Sequence, residues 1–208
     1  MPTLITAEQR SDEWFSARLG RATASRFTDI MARTRSGYSA SRKNYAAELT
    51  AEILTGMRPE LFTTTAMQWG IDNEPLARLQ YELETGNEVE ETGFWQHEDI
   101  GAGASPDGLI GKDGLIEIKC SNTATHIETL RTKEVPYQYV AQVQGQLWIT
   151  ERKWCDFVTF DPRLPENAQM FIVRVNRDDD YINKLWEEIA TFMSEVEKQV
   201  MFVKEFKR

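Results

Sequence analysis

The chain has little of what soft-metal and disulfide chemistry require. Its 208 residues include two histidines, His97 and His126, and two cysteines, Cys120 and Cys155. Two histidines do not make a histidine-rich zinc site, and each cysteine lies in an apolar, strand-like segment that suits a buried free thiol better than a disulfide. No apolar run is long enough to span a bilayer, and residues 1–6 have neither the charged nor the apolar region of a signal peptide. The expectation is a soluble, cytoplasmic chain. Positive charge is also scarce: 24 Lys and Arg against 33 Asp and Glu leave a net charge of −9. This argues against loose coating of a polyanion, but an acidic outer face can coexist with a confined basic channel, because charges more than about 8–10 Å apart are largely screened at ordinary salt. Repeats, low-complexity segments and linkers are missing, so residues 1–208 are read as one domain with room for a substantial core.

What the chain does have is concentrated between Gly103 and Cys120. Ser105-Pro106-Asp107-Gly108-Leu109-Ile110 and Gly114-Leu115-Ile116-Glu117-Ile118-Lys119-Cys120 flank the polar turn Gly111-Lys112-Asp113-Gly114. Apolar runs around a glycine-bounded turn predict a β-hairpin. Asp107 stands just before the first strand, after a proline that cannot extend a ladder. The strand period of two sends Glu117 and Lys119 to one face with Leu115, and Ile116 and Ile118 to the other. One hairpin thereby gathers an aspartate, a glutamate and a lysine. Two close carboxylates repel unless one protonates or a cation intervenes. Oxygen-only ligation suits Mg²⁺ or Mn²⁺, which keep waters and leave positions for phosphate oxygens. Such a metal lowers the pKa of a bound water, and a neighbouring lysine orients that water or helps deprotonate it, which equips the hairpin for phosphodiester hydrolysis. A plainer alternative makes Asp107 a turn former and Glu117 and Lys119 a solvated strand face.

In its exact context, Ser-Pro-Asp-Gly-Leu followed by Leu-Ile-Glu-Ile-Lys-Cys resembles the PD-(D/E)xK nuclease signature, and within it the lambda-type phage exonucleases, or YqaJ-type viral recombinases. Three more segments carry the resemblance. Trp14-x-x-x-Arg18-x-Gly20 with Thr23-Ala24-Ser25 matches the family's N-terminal motif and implies that Arg18 and Ser25 hold a terminal 5′-phosphate; unaided, the segment reads as helix capping with a surface arginine. Trp69-Gly70-x-x-x-Glu74 matches a helix that adds Glu74 to the metal carboxylates, although a lone helical glutamate is ordinarily a solvent-facing one. Tyr139-x-x-Gln142-x-Gln144 resembles the motif after the nuclease core. It implies that Gln142 contacts the scissile phosphate, supported by Tyr139 and Gln144. The residues themselves show only that Gln138, Gln142 and Gln146 share a helix face at i, i+4 and i+8, equally a polar stripe.

The resemblance implies an α/β fold, a PD-(D/E)xK restriction-endonuclease-like core whose central mixed β-sheet is flanked by helices. It implies Mg²⁺-dependent 5′→3′ digestion of linear double-stranded DNA, with Mn²⁺ as substitute and two ions. Asp107, Glu117 and the Ile118 carbonyl would bind the first metal, Glu74 would serve a second, Lys119 the attacking water, and Ser105 the scissile phosphate. Arg35, in the basic loop 33–38, would reach towards DNA, and Met67 would wedge the duplex end or simply pack in the core. A homotrimeric ring, an annealing recombinase as partner, and a bacterial or phage-infected cell complete the expectation. A structure-specific or restriction-like endonuclease of the same fold, or a non-catalytic binding module, are the alternatives.

Elsewhere the pattern predicts helices over 12–19, from Thr23 or Ser25 to about 33, 41–55, 66–84, 123–132, from Pro136 onwards, and 181–200. It predicts strands over 87–97, 154–160 and 170–175. The acids 178–180 mimic a metal cluster but suit the N-terminus of the last helix.

Overall fold

The computed structural model describes residues 2–59 and 63–207; the connection expected between Gly56 and Thr65 includes residues 60–62, which lie outside them. In chain order the elements are β1 (Thr3–Ile5), α1 (Asp12–Arg18), β2 (Ala22–Thr23), a single 3₁₀ turn (Ala24–Arg26), α2 (Phe27–Met31), β3 (Arg33–Thr34), β4 (Gly37–Tyr38), α3 (Ala40–Thr55) and α4 (Thr65–Thr85). There follow β5 (Val89–Glu90), β6 (Phe94–Gln96), β7 (Ala102–Ala104), β8 (Gly108–Ile110), β9 (Gly114–Lys119), α5 (Thr123–Thr132), α6 (Tyr137–Thr150), β10 (Trp154–Phe160), a 3₁₀ turn (Glu166–Ala168), β11 (Met170–Asn176) and α7 (Asp179–Glu205).

The central sheet has the order β11-β10-β9-β8-β5. It is mixed: β9 and β10 run parallel, joined through α5 and α6, and the other neighbours are antiparallel. A parallel pair requires such a crossover, and the crossover helix covers one face. On that face Val143 and Leu147 of α6 cover Leu115, Cys155 and Phe157. On the other, Ala77 and Tyr81 of α4 cover Ile116, Ile118, Val158 and Phe160. The predicted alternation in β9 is therefore what sorts its side chains between two helical layers. A second sheet, β1-β6-β7-β2, shares a core with α2, α3, α6 and α7. There α7 contributes Leu185, Ile189, Phe192 and Val196, each fully buried and each worth about 1.5–3 kcal/mol of transfer free energy.

Several expectations change in detail. The single strand expected over 87–97 is two strands in different sheets, because β5 pairs with β8 and β6 with β1 and β7. The chain crosses between them at Gly93, where a Cβ would lie 2.0 Å from the Ile5 carbonyl oxygen. The helix expected to run to Arg33 ends at Met31, and Thr23 makes no side-chain cap bond. Residues 33–38 are a β-hairpin rather than a loose loop, tied down where Arg33 and Tyr38 both bond Glu188 of α7. Pro75 neither stops nor restarts α4, which runs unbroken to its left-handed cap at Gly86. In α3 the buried stripe is Arg42, Tyr45, Ala46, Leu49 and Thr50, and Ile53 is 42 % exposed. Arg42 is 2 % exposed because it pairs with Glu188 and Glu195 of α7. In α7, Trp186 falls off the buried stripe, and Asp178 caps the helix by accepting from the Tyr181 N–H.

Candidate active site

The edge where β8 begins creates the site. Pro106 has no N–H to extend the ladder, so the last backbone bond there is Asp107 N–H to the Ile116 carbonyl, 3.2 Å. Beyond it the Asp107 carboxylate stands in for the missing strand: its Oδ2 accepts the Ile118 N–H at 2.6 Å. In extended backbone a residue's N–H and C=O leave the same strand edge, so the Ile118 carbonyl is directed to the Asp107 side too. On the α6 face of β9, Glu117 is 1 % exposed and accepts Gln142 Nε2 on one carboxylate oxygen and Gln146 Nε2 on the other, each at 2.5 Å. Lys119 Nζ reaches the same carboxylate at 2.5 Å. Burial opposes charge on Lys119, but Glu117 and Asp107 outweigh it and raise the pKa, so this side chain is held as an ammonium.

The aspartate is differently placed. Its carboxyl is pushed well above the usual carboxylate range by burial, then by the negative charges of Glu117 and Glu74. A cation between these groups would relieve that repulsion. The donors present are carboxylate and carbonyl oxygens, the hard set that Mg²⁺ or Mn²⁺ prefers. Among the described residues no three His, Cys, Asp or Glu side chains converge as a ready-made metal cluster. The fit is therefore to an ion held by two carboxylates and a carbonyl with waters completing the shell, as Mg²⁺ is commonly bound. Glu74 lines the same cleft, but its oxygens are taken by Arg10 at 3.0 Å and Arg78 at 3.3 Å.

Another wall of the same cleft carries Trp14, Arg18, Ser25 and Ser105. Arg18, at the end of α1, stacks over Trp14 at 3.9 Å and lies 5.5 Å from the Phe94 ring. Its Nη1 donates to Ser105 Oγ at 3.4 Å, and Trp14 Nε1 donates to the same oxygen at 2.9 Å. Among the described residues no carboxylate lies in salt-bridge range of Arg18. Burial lowers its pKa to about 10, against the raising influence of Tyr45 and Glu52. A desolvated guanidinium with no carboxylate in range is suited to receive an anion. Exposed Ser25, one residue into the 3₁₀ turn, is on the same cleft wall.

The cleft measures about 1010 Å³. It gathers Arg18, Ser25, Glu74, Ser105, Asp107, Glu117, Ile118, Lys119, Tyr139 and Gln142, and Met67, 52 % exposed, stands at its side rather than in the core. Two residues named from the sequence lie outside the cleft lining. Arg35 is exposed at the turn between β3 and β4 and does not line the cleft. Gln144 points away: it donates to the Asn176 carbonyl and accepts the Asp178 N–H, because two residues along a helix from Gln142 is nearly the opposite face. Sequence reasoning missed Gln146 as a Glu117 partner, though its spacing of four from Gln142 was the signal. It also missed Arg163, whose guanidinium is forked on Asp161 and lies 4.3 Å over the Trp69 ring in the cleft wall. Nothing local marks Arg163, because its Asp-Pro-Arg segment reads as a turn between strands.

Comparison with known proteins bears on this geometry. The sequence signature of the YqaJ-like viral recombinase domain matches residues 13–153. The crystal structure of an alkaline exonuclease from Laribacter hongkongensis, LHK-Exo, is similar with a TM-score of 0.88 and 47 % identity, over 93 % of this chain and 96 % of that one. LHK-Exo in complex with dAMP is similar to the same degree. A phage-related exonuclease from Haemophilus somnus 129PT shares the fold, with a TM-score of 0.73 at 16 % identity over 88 % of this chain and 96 % of that one. No curated protein matches significantly.

Proposed function

The chain belongs to the YqaJ-like viral recombinase family and is a nuclease, and from that premise we propose that it is a Mg²⁺-dependent 5′→3′ exonuclease of linear double-stranded DNA. It releases 5′-mononucleotides and leaves 3′ single strands for recombination by annealing. The observation that carries this is the Arg18 guanidinium, which has no carboxylate partner among the described residues, on the wall of the cleft that also holds Asp107, Glu117 and Lys119. An anion receptor beside a hydrolytic site suits an enzyme that measures one nucleotide from a 5′-phosphate end.

Asp107, Glu117 and the Ile118 carbonyl would hold the first ion, and Glu74, once released from Arg10, would serve a second. When bound, such an ion would supply Lewis-acid chemistry, lowering the pKa of the attacking water and offsetting charge on the phosphoryl group. Lys119, beside Glu117 in the cleft, positions or activates that water. Ser105 Oγ already accepts from Trp14 and Arg18, so its own O–H is left to donate to the scissile phosphate. The second hydrogen of Gln142 Nε2 does the same while the first stays on Glu117. Water adds to phosphorus and gives up a proton, the bond to the 3′ oxygen breaks as that oxygen takes a proton up to leave as a hydroxyl, and the shortened strand again begins with a 5′-phosphate for Arg18 and Ser25.

The exposed apolar residues Leu76, Leu79 and Leu83, three and four apart on α4, support self-association. The proposed assembly is a homotrimeric ring; enclosure would retain DNA despite the net charge of −9, with a single-strand annealing recombinase taking the product strand. Sedimentation at working concentration tests the ring, and a monomer removes it.

The function itself is tested on a linear duplex with a 5′-phosphate or a 5′-hydroxyl, and on a closed circle, in Mg²⁺ and in EDTA. Mononucleotides from the phosphorylated linear DNA alone, lost in EDTA, are expected. Cut circles would replace the proposal with an endonuclease, and no hydrolysis in Mg²⁺ or Mn²⁺ with a binding module.

A further inference from the structure

Glu117 is a carboxylate carried almost wholly inside the protein, and leaving such a charge unpaired is costly. Two amides of α6 meet it, one turn of helix apart, each at 2.5 Å and each on a different oxygen. Gln142, 8 % exposed, opens to the cleft and has the phosphate role proposed above. Gln146 is 1 % exposed and lies deeper. Its Oε1 is buried and has no hydrogen-bond partner among the described residues. Reversing the amide would satisfy nothing, because it would set that oxygen against the Glu117 carboxylate. The side chain is thus held in one orientation by the charge it serves, at the cost of a stranded carbonyl. Simple packing accounts poorly for that, since an apolar side chain would fill the place without an unmet acceptor.

We propose that Gln146 is a positioning residue for metal binding: with Gln142 it pins both Glu117 oxygens from the helix side, so that the carboxylate's remaining lone pairs face the cleft. This rests on the metal-dependent reading of the site. Partners that orient a ligating carboxylate in this way are typically worth about 10–100-fold in metal affinity.

The test is Gln146→Met, which keeps length and removes the donor. Mn²⁺ binding is measured by calorimetry on the DNA-free protein, with the Mg²⁺ dependence of mononucleotide release and thermal melting alongside. The expected result is Mn²⁺ affinity weaker by about 10–100-fold and a Mg²⁺ midpoint moved by the same factor, with most of the rate regained at saturating metal. If Gln146→Met lacks a cooperative melt, Gln146→Leu takes its place with the same expectation. Mn²⁺ affinity within about threefold of the unaltered protein, whatever the melting temperature, would overturn the proposal, as would an unaltered protein that binds no Mn²⁺. Unaltered protein that binds Mn²⁺, loses that affinity on Gln146→Met, yet cuts no DNA would sink the exonuclease reading and leave this inference standing.

Discussion

Replacing Lys119 by methionine separates two jobs that one ammonium performs. It is the cationic partner of Glu117 at 2.5 Å, and it lies 5.1 Å from the Tyr139 ring in the cleft. Breaking a buried ion pair ordinarily costs about 3–5 kcal/mol, because the surviving charge is stranded. Here the surviving carboxylate keeps its two amide donors, and Lys119 is 24 % exposed, so screening reduces the loss. The expected destabilisation without metal is about 1–3 kcal/mol, each kilocalorie shifting the melting midpoint by roughly 2–4 °C in a chain of this size. A divalent ion takes over the lost positive charge, and binding to the folded state at a hundred times its Kd adds about 2.7 kcal/mol. Lys119→Met should therefore melt lower than the unaltered protein in EDTA, and both should rise in Mg²⁺, the gap narrowing only as far as the variant binds the ion more tightly. Catalysis should not recover, because water orientation is gone: single-turnover mononucleotide release is expected to fall about 10²–10⁴-fold with DNA binding retained. A rate within about tenfold of the unaltered enzyme at saturating Mg²⁺ would refute the assigned role. An unchanged midpoint in EDTA would refute the ion-pair reasoning.

Arg18→Gln should abolish discrimination between 5′-phosphate and 5′-hydroxyl ends and lower kcat/KM on phosphorylated ends by about 10–100-fold, the worth of one charge-assisted contact, as read in competition digests. Gly145→Ala should gain about 1 kcal/mol of helix propensity, yet the new Cβ would lie 2.4 and 2.5 Å from two ring carbons of Phe27. That ring is fully buried against Trp148 and cannot retreat, so overpacking of about 1–3 kcal/mol should prevail and thermal melting should move down. The same change at Gly70, within α4 and with nothing inside 4 Å, should move melting up; the opposite order would undo the argument. Asp161 is held at a pKa of about 2, first by its hydrogen bond to Arg163 and also by Thr123. A carboxylate depressed on folding stabilises above its unfolded pKa, and that stability is lost as pH falls through the folded value. Melting followed from about pH 5 to 2 should drop less steeply for Asp161→Asn than for the unaltered protein, and equal slopes would count against the pair.

The hairpin was legible because everything that makes it is local. The glycine-bounded turn, the proline before Asp107 and the period of two decide which side chains of β9 share a face, whatever the rest of the chain does. The terminal helices were legible for the same reason, since a 3.6-residue period and an acidic start are written within one segment. Family motifs added the distant members of the site, and the structure gathers Arg18, Glu74 and Gln142 in the same cleft as Asp107 and Glu117. Partnership across the fold was not legible. Gln146 meets Glu117 across 29 residues of chain, Arg18 meets Ser105 across 87, and Arg42 is buried only because α7 brings two glutamates to it. The strand expected over 87–97 divides for a related reason, since nothing local says that its halves belong to different sheets. By itself the sequence determined the chemistry available and the faces on which it is carried. The tertiary structure decided which oxygen each donor meets and which charge is left without a partner, because hydrogen bonding and desolvation depend on contacts that only the packed chain creates.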